Sequence, residues 1–267
     1  MSQHPPAGPG APAPASDRPA PALAPAPARD RPLLGQTVVV LGGSAGIGLA
    51  TARQARAEGA QVVLTGRDPG RLERAAQDVG ARSHAAFDAH DPERLSGFFR
   101  AVPAVDHVMV TAGAPYYGRL ETMDVADAGR HVAAHLAMML AVARESSGRV
   151  RAGGSLLFMG GTGARRPGAG LSVSAALTAA LPALAANLAL ELAPVRVNLL
   201  AAGFVDTPLS AALLGDALEE RRAGLRDTLP IGRVVTPDDV AALAVHVMVN
   251  TALTGATFDI DGGQQLV

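Results

Sequence analysis

The chain has 267 residues, a formal net charge of −1 and 48% hydrophobic residues, a composition typical of one large globular domain or two small ones. Its basic residues form no stripe and no apolar run reaches the roughly 18 residues that span a bilayer, so neither nucleic acids nor membranes are expected as partners. Cysteine is absent, which excludes disulfides and thiolate metal sites, and lysine is absent too, since all 23 Lys or Arg positions are arginine.

Residues 1–34 are rich in proline and alanine and carry ten of the chain's twenty prolines. Such a segment buries too little apolar surface to offset its chain entropy, so we expect a disordered N-terminal extension. The alternative is a PxxP segment that binds a partner. The segment has neither the basic region nor the apolar core of a secretory signal, and we expect a cytoplasmic protein. Residues 35–267 are expected to form one domain.

From Leu34 onward, short apolar runs alternate with helical segments such as PGRLERAAQDVG and DPERLSGFFRAV. The runs are nearly continuous in apolarity, as is typical of strands buried on both faces of a parallel sheet. In chain order they read TVVVLG, QVVLTG, HAAFDA, HVMVTA, SLLFMG, RVNLLA and TFDIDG. Repeated βα units predict an α/β fold, a single-domain Rossmann fold with a doubly wound parallel sheet.

A glycine-rich segment joins the first predicted strand to the first predicted helix. It holds Gly42, Gly46 and Gly48 in the spacing G-x-x-x-G-x-G, with Ser44 and Ile47 between them. Glycines at such a turn let backbone amides and a helix N-terminus approach a pyrophosphate. The segment therefore predicts a dinucleotide-binding loop.

Here the sequence resembles the short-chain dehydrogenase/reductase family over about residues 34–267. The resemblance rests on the glycine loop and on four later segments, which are TAG (111–113), AGFVDTP, PIGRVVTPDDVA and TGATFDIDGG. It implies a seven-stranded sheet, a nicotinamide dinucleotide and usually a tetramer built through the two apolar segments 131–143 and 174–192. The family also implies cofactor contacts for Ala112 and Gly113, for Asp88 at the adenine and for Thr207 at the nicotinamide carboxamide. For Asp88 a turn-capping role is the alternative.

The cofactor expected from the second strand is NADP(H) rather than NAD(H). NAD binders of the family usually place an acid at its end, where this chain has Gly66 followed by Arg67. Gly66 removes a charge that would repel a 2′-phosphate, and Arg67 can pair with that phosphate. The alternative is that Arg67 is a solvated loop cation.

The proton-transfer residues that the family implies are missing. The positions of its tyrosine and lysine fall on Ser174 and Thr178, that of its serine on Gly160 or Gly161, and that of its asparagine on His135. No shift of register recovers a lysine. A positioned general acid contributes roughly 10²–10⁴-fold, so ordinary ketone reduction would be nearly silent without a replacement.

Candidate replacements are Tyr116 and Tyr117, which follow the fourth strand, together with His135, whose unperturbed pKa near 6.5 suits proton transfer. Thr162 is a substitute for the missing serine, and Ser174 can hydrogen-bond a substrate oxygen. Each has a structural alternative: cavity wall for the tyrosines, a satisfied buried histidine for His135, and back-bonding to the helix for Ser174. His131 and His135 are spaced to share a metal, but no third ligand is evident and no metal is expected.

Two segments, 131–143 and 174–192, are apolar almost all round, which predicts burial on every side and an oligomer built through them. Pro182 is expected to kink or break the second segment. The resemblance makes 208–230 a substrate lid. Arg165 and Arg166 can hold an anionic substrate group or be solvated loop residues.

The sequence favours an NADP(H)-dependent oxidoreductase with a non-standard site, which acts on a small organic carbonyl, imine or enone. Two alternatives remain open. One is a catalytically silent nucleotide-binding sensor, and the other is a lyase or isomerase without net redox chemistry.

Overall fold

The computed structural model describes residues 31–102 and 104–267. The predicted disorder of residues 1–30 therefore lies outside the described residues. The compact unit begins at Arg31. Leu33 is fully buried, and its amide donates a hydrogen bond to the Glu58 carbonyl at 3.1 Å. The boundary expected after residue 34 thus falls within a packed segment, because Leu33 joins the core cluster beneath the first helices.

Seven parallel strands form a single sheet in the order β3-β2-β1-β4-β5-β6-β7. Their bounds are β1 Thr37–Leu41, β2 Gln61–Gly66, β3 Ser83–Ala86, β4 Val105–Val110, β5 Val150–Gly161, β6 Arg196–Ala202 and β7 Thr257–Ile260. Each strand coincides with or overlaps a predicted apolar run. The α/β prediction of a single-domain, doubly wound Rossmann fold is confirmed. The strand order reverses between β1 and β4, and a crevice opens there at the carboxyl ends of the strands.

The described part of the chain contains eight α-helices, six of which cover the two faces of the sheet. They are α1 Gly46–Ala57, α2 Pro69–Val79, α3 Pro92–Ala101, α4 Val125–Ser146, α5 Ser172–Glu191, α6 Pro208–Leu214, α7 Leu218–Thr228 and α8 Pro237–Val249. Helices α1, α2 and α8 pack on one face, and α3, α4 and α5 pack on the other. An Asp or Thr side chain caps the N-terminus of α2, α3, α4, α6 and α8, whereas α1 has no such cap.

Helix α5 is less buried in the single chain than its composition predicts. Leu177, Leu181 and Leu188 face the sheet and join the core, while Leu190 on the opposite side is 80% exposed. Pro182 lies on the outward side, and the helix runs without a break from Ser172 to Glu191. The expected break is therefore absent, and the helix continues through the proline.

One expectation about apolar length is wrong. In the described residues, α5 alone has the length and mean hydropathy, 1.7, of a membrane-crossing helix. Packing on the sheet buries 28% of that apolar window. The rest includes an apolar face that the single chain leaves bare, and the core helix of a soluble protein meets the same length and hydropathy criteria.

Arg196, the first residue of β6, ties the end of α8 to the sheet. It is 5% exposed. Its guanidinium donates hydrogen bonds to the carbonyls of Val247 at 2.8 Å, Met248 at 2.6 Å, Asn250 at 3.1 Å and Leu253 at 3.1 Å. These carbonyls lie at or beyond the helix C-terminus, where intrahelical donors run out. Burial lowers the pKa of Arg196, and the converging carbonyls still hold it charged.

We predict that Arg196→Met lowers the free energy of unfolding by about 3–5 kcal/mol, because several buried carbonyls lose their donor at once. Arg94→Met, at an exposed position of α3, is the matched control and should change stability by less than about 0.5 kcal/mol. Urea unfolding followed by circular dichroism measures both values. A loss below about 1 kcal/mol in the Arg196 variant would contradict the capping role.

Candidate functional site

The turn between β1 and α1 lies so close to the end of β4 that Gly42 and Gly48 have no room for a side chain. Gly42 has φ of +93°, and a Cβ placed there would lie 2.7 Å from Thr111 Oγ1. At Gly48 a Cβ would lie 2.3 Å from the Gly42 carbonyl oxygen. Thr111 Oγ1 donates to the carbonyls of Leu41 at 3.0 Å and Gly42 at 3.1 Å. The predicted glycine loop is therefore a tight backbone cradle locked to β4.

The amides at the start of α1 are left for an external anion. Ala45 provides no side-chain cap, and no acidic residue lies in the first turn. A Cβ at Gly46 would lie 3.4 Å from Thr207 Cβ, which brings the segment after β6 to the loop. Ser44 Oγ lies 3.1 Å from the Cβ position of Gly66, at the end of β2. Partly buried Ile47 packs on the core below. This arrangement fits a diphosphate, because free amides and the positive end of the helix dipole converge there.

Two further cofactor candidates, Arg67 and Asp88, differ in whether other groups of the protein already bind their side chains. Arg67 is exposed where β2 ends and forms no salt bridge within the described ranges. Asp88 accepts hydrogen bonds from the His90 amide at 3.0 Å and from His90 Nδ1 at 2.9 Å. Burial raises the pKa of Asp88, but these hydrogen bonds outweigh it and lower the pKa overall. The carboxylate thus holds a turn, as the alternative interpretation expects, and remains half-exposed.

The positions of the family's serine and lysine are adjacent in space. Gly161 ends β5, and a Cβ placed there would lie 3.3 Å from Thr178 Cγ2 on α5. Thr178 Oγ1 donates to the Ala175 carbonyl at 3.1 Å, so it is bonded back to its own helix. Neither position carries an acid or a base.

Ser174 and Thr162 have no evident role in proton transfer. Ser174 Oγ donates to the Tyr116 carbonyl at 2.7 Å and accepts from the Tyr116 amide at 3.0 Å. It therefore fastens the loop after β4 to α5 instead of back-bonding to the helix. Thr162 is buried, and its amide donates to the Ala202 carbonyl at 3.0 Å. Its hydroxyl makes no hydrogen bond inside the described part.

The two tyrosines point to different surroundings. The Tyr116 hydroxyl lies 3.5 Å from the Asp124 carbonyl, and its ring centroid lies 5.3 Å from that of His131, so this side chain packs on α4. Tyr117 is 54% exposed. Desolvation raises the pKa of both, and nearby carboxylates, Asp127 foremost, raise that of Tyr116 further. Both hydroxyls therefore stay protonated at neutral pH, without the lowered pKa that the family's lysine provides.

His135 lies against the loop that follows β4. A Cβ at Gly113 would lie 2.8 Å from His135 Cε1, so the ring fills the space that glycine leaves open. Burial lowers the pKa of His135 to about 4, and the charges of His90 and His131 act in the same direction. This differs from the value near 6.5 expected from sequence, because most of the ring is removed from water. His135 is therefore neutral at pH 7. Ala112 precedes Gly113 in the loop that follows β4.

Two imidazole nitrogens near the site have no hydrogen-bond partner. They are His135 Nδ1 and His131 Nε2, and the two rings stack with centroids 6.4 Å apart. His107 provides the contrast, since burial also lowers its pKa to about 4 but Ser155 and Gln36 satisfy both of its nitrogens. Within residues 31–102 and 104–267 no group of three or more His, Asp and Glu side chains is placed to hold a metal ion. The expectation of no metal stays a prediction.

An open cleft of about 480 Å³ lies beside the site. Its walls come from the segment after β4, the segment after β5 and the first turn of α5. They include Arg119, Leu120, Gly163, Pro167, Leu171 and Ala175. None of the predicted catalytic residues lines this space, although Ser174 and Tyr117 are close to it along the chain.

Sequence reasoning missed several residues that the fold brings to this region. His90 follows β3 and acts on His135, and Arg221 lies 5.8 Å from the Phe204 ring. His131 was considered only as a metal ligand. Its spacing of four residues from His135 placed both on one face of α4, whereas no local signal marks His90 or Arg221. Arg165 forms a bidentate ion pair with Asp259 at 2.5 and 2.6 Å, so it does not offer a free charge to a substrate.

The sheet topology and the glycine cradle at the strand-order reversal define a dinucleotide-binding protein of the Rossmann class. A family profile described as enoyl-(acyl carrier protein) reductase matches residues 42–265. The dehydrogenase/reductase SDR family member 4 of Oryctolagus cuniculus is 31% identical over 251 residues, covering 87% of this chain and 94% of that protein. The chain belongs to the short-chain dehydrogenase/reductase family of oxidoreductases.

A further relative and a solved structure are also similar to this chain. The NADP-dependent (R)-specific alcohol dehydrogenase of Lentilactobacillus kefiri is 29% identical over 247 residues, which cover 86% of this chain and 97% of that protein. A crystal structure of a small-chain dehydrogenase in complex with NADPH superimposes with a TM-score of 0.75 at 27% identity. That match covers 87% of this chain and 99% of the other.

We predict that Gly48→Ala weakens dinucleotide binding by at least about tenfold, because the added methyl would collide with the Gly42 carbonyl oxygen at 2.3 Å. Fluorescence titration with NADPH and NADH measures the change. Gly129→Ala is the matched control, since Gly129 lies on α4 with no atom within 4 Å of its Cβ position. It should bind normally and unfold at a slightly higher temperature. Unchanged binding in the Gly48 variant would contradict the cradle.

Proposed function

We propose that the protein is an NADP(H)-dependent oxidoreductase with a non-standard active site, which acts on a small organic carbonyl, imine or enone. The observation that carries this proposal is the steric cradle of Gly42, Gly48 and Thr111 beneath an uncapped helix N-terminus. Such a loop fits a diphosphate. A cleft of about 480 Å³, formed by the segments after β4 and β5 and by the first turn of α5, has the size of a small-molecule site.

Preference for NADP(H) is proposed from the end of β2. Gly66 contributes no carboxylate, and the exposed Arg67 that follows β2 can pair with a 2′-phosphate. The Lentilactobacillus kefiri relative is named as NADP-dependent, and the structural neighbour holds NADPH. Both agree with the assignment.

In the proposed reaction the bound nicotinamide supplies or accepts a hydride at an organic carbon. In this proposal His135 acts on the substrate oxygen, because its buried Nδ1 has no hydrogen-bond partner in the described part of the chain and lies beside Gly113 in the loop after β4, although neither residue lines the cleft. As a neutral imidazole it acts as a hydrogen-bond donor that polarises the oxygen and not as an imidazolium acid. Tyr117 is the proposed proton source, since the Tyr116 hydroxyl is turned toward α4.

A site whose proton donors are weak acids favours substrates whose reduction requires little proton donation. Hydride addition to an iminium ion neutralises a charge and creates no oxyanion, and an enone delocalises the charge that develops. Both lower the demand for the proton that the family's tyrosine and lysine normally help to deliver. We therefore place cyclic imines and conjugated enones or quinones ahead of simple ketones.

The assembly and the lid belong to the same proposal. The exposed apolar face of α5, with α4 beside it, suits an oligomer built through 131–143 and 174–192. Helices α6 and α7 occupy the segment 208–230 assigned to the lid. The cytoplasmic location stays a prediction from sequence.

A catalytically silent NADP(H)-binding sensor is the second candidate. The chain contains no lysine, and Ser174 is committed to the Tyr116 backbone. Both facts favour retained binding without turnover. A lyase or isomerase on the same fold has no separate observation in its favour.

We predict that Arg67→Gln weakens NADP+ binding by about 10- to 100-fold, because one charge-assisted contact to the 2′-phosphate is lost. Binding of NAD+ should change less than about twofold. Arg74→Gln, on α2, is a control for net charge. Isothermal titration calorimetry with NAD+ and with NADP+ gives the affinity of each of the two variants relative to the wild type, which makes four ratios. An equal loss for NAD+ and NADP+ would contradict recognition of the 2′-phosphate.

We predict NADPH oxidation with at least one cyclic imine, enone or quinone. His135→Gln and Tyr117→Phe should each lower kcat/KM by roughly 10²-fold, and Tyr116→Phe should act mainly on stability. Because His135 has a pKa of about 4, the wild type should show no inflection from His135 between about pH 5 and 8.

The exposed His84 provides the control, and His84→Gln should leave turnover unchanged. Tight NADPH binding without oxidation across the whole panel would support the sensor and overturn the oxidoreductase. Normal turnover in both the His135 and the Tyr117 variants would overturn only their assigned roles.

A further inference from the structure

Two pairs of neighbouring arginines flank the segments after β5 and β6, and each pair contains one neutralised member. Arg165 is ion-paired with Asp259 at 2.5 and 2.6 Å. Arg222 is ion-paired with Asp206 at 2.6 Å and also with Glu219. Their partners in sequence, Arg166 and Arg221, contact no carboxylate in the part of the chain that the structure describes.

Gln264 and Phe204 form a shared platform that contacts the guanidinium groups of Arg166 and Arg221. Arg166 donates to the Gln264 carbonyl at 3.1 Å, and the Gln264 side chain accepts from the Phe204 amide at 2.8 Å. The Arg221 guanidinium lies 5.8 Å from the centre of the Phe204 ring. A backbone carbonyl and a π-face position the charges without cancelling them. Desolvation lowers the pKa of Arg221, and the positive charge of Arg166 lowers it further.

The position of this platform relates it to the cleft and not to the Arg67 end of the cofactor site. Arg166 immediately precedes Pro167, which lines the cleft. Phe204 lies three residues before Thr207, whose side chain lies 3.4 Å from the position of a Cβ placed on Gly46 of the glycine loop. Arg67, by contrast, follows β2, and in the sheet order β1 and β4 separate β2 from β5.

We propose that Arg166 and Arg221 form an anion subsite at the rim of the cleft, which binds a carboxylate or phosphate group of the substrate. Guanidinium groups match the geometry of both oxyanions and hold them by charge-assisted hydrogen bonds. An anion between the two also relieves their repulsion. The subsite stands on its own contacts, and it rests on the proposed function only in naming the bound anion as substrate.

The test is saturable binding of succinate and of inorganic phosphate to the full chain at low ionic strength, followed by NMR of arginine Nε–H groups. Arg166→Gln and Arg221→Gln should each weaken binding by about tenfold or more. Arg226→Gln removes an exposed charge from the same helix as Arg221 and should have less than about a twofold effect. A preference for succinate identifies a carboxylate subsite, and a preference for phosphate identifies a phosphate subsite.

Three outcomes would overturn the proposal. The first is no saturable binding of either anion, and the second is an equal loss in the Arg226 variant, which would indicate only a general field. The third is displacement of the anion by NADP+ together with weaker NADP+ binding in the Arg166 and Arg221 variants, which would assign the charges to the cofactor. Saturable anion binding without NADPH oxidation of any substrate would leave the subsite standing and remove only the proposed oxidoreductase activity.

Discussion

The close approach of the β1–α1 turn to Thr111 is the constraint on which the rest of the site depends. A methyl group at Gly48 would lie 2.3 Å from a backbone oxygen, so the turn holds its shape only with glycine at that position. Thr111 then bonds the carbonyls of Leu41 and Gly42, which joins the loop to β4. With its carbonyls fixed, the first turn of α1 presents its amides outward. The segments that carry Thr207 and Gly113 are placed relative to that turn.

The sheet was predictable from sequence because its signal is local. Strands buried on both faces must be apolar at nearly every position, and runs such as TVVVLG and RVNLLA satisfy this condition without reference to the remainder of the chain. The glycine loop was predictable for a similar reason, since its chemistry lies within seven residues. The surface of α5 was less predictable, because an apolar residue facing a sheet and one facing a partner have the same hydropathy.

The proton-transfer region could be predicted only in part, because its chemistry depends on contacts between distant segments. Ser174 was identified as a position, yet its bonds to the Tyr116 backbone connect residues 58 apart in sequence. The lowered pKa of His135 arises from burial and from His90 and His131. The residue type alone gives the ordinary histidine pKa near 6.5 and could not give the shift of that pKa. The two tyrosines are adjacent in sequence, but only the fold distinguishes the one packed on His131 from the exposed one.

The absence of lysine affects more than one step of the proposed chemistry. A cation beside a tyrosine lowers its pKa, which makes the tyrosinate available as a base for alcohol oxidation. Here desolvation raises the pKa of both tyrosines, so neither is a base near neutral pH. His135, with a pKa of about 4, is a weak base as well. A protonated phenol and a neutral imidazole N–H remain able to donate. Under the proposed function, the site therefore suits reduction of substrates that are already electron-poor, and a guanidinium pair at the cleft rim would hold the anionic group of such a substrate in position.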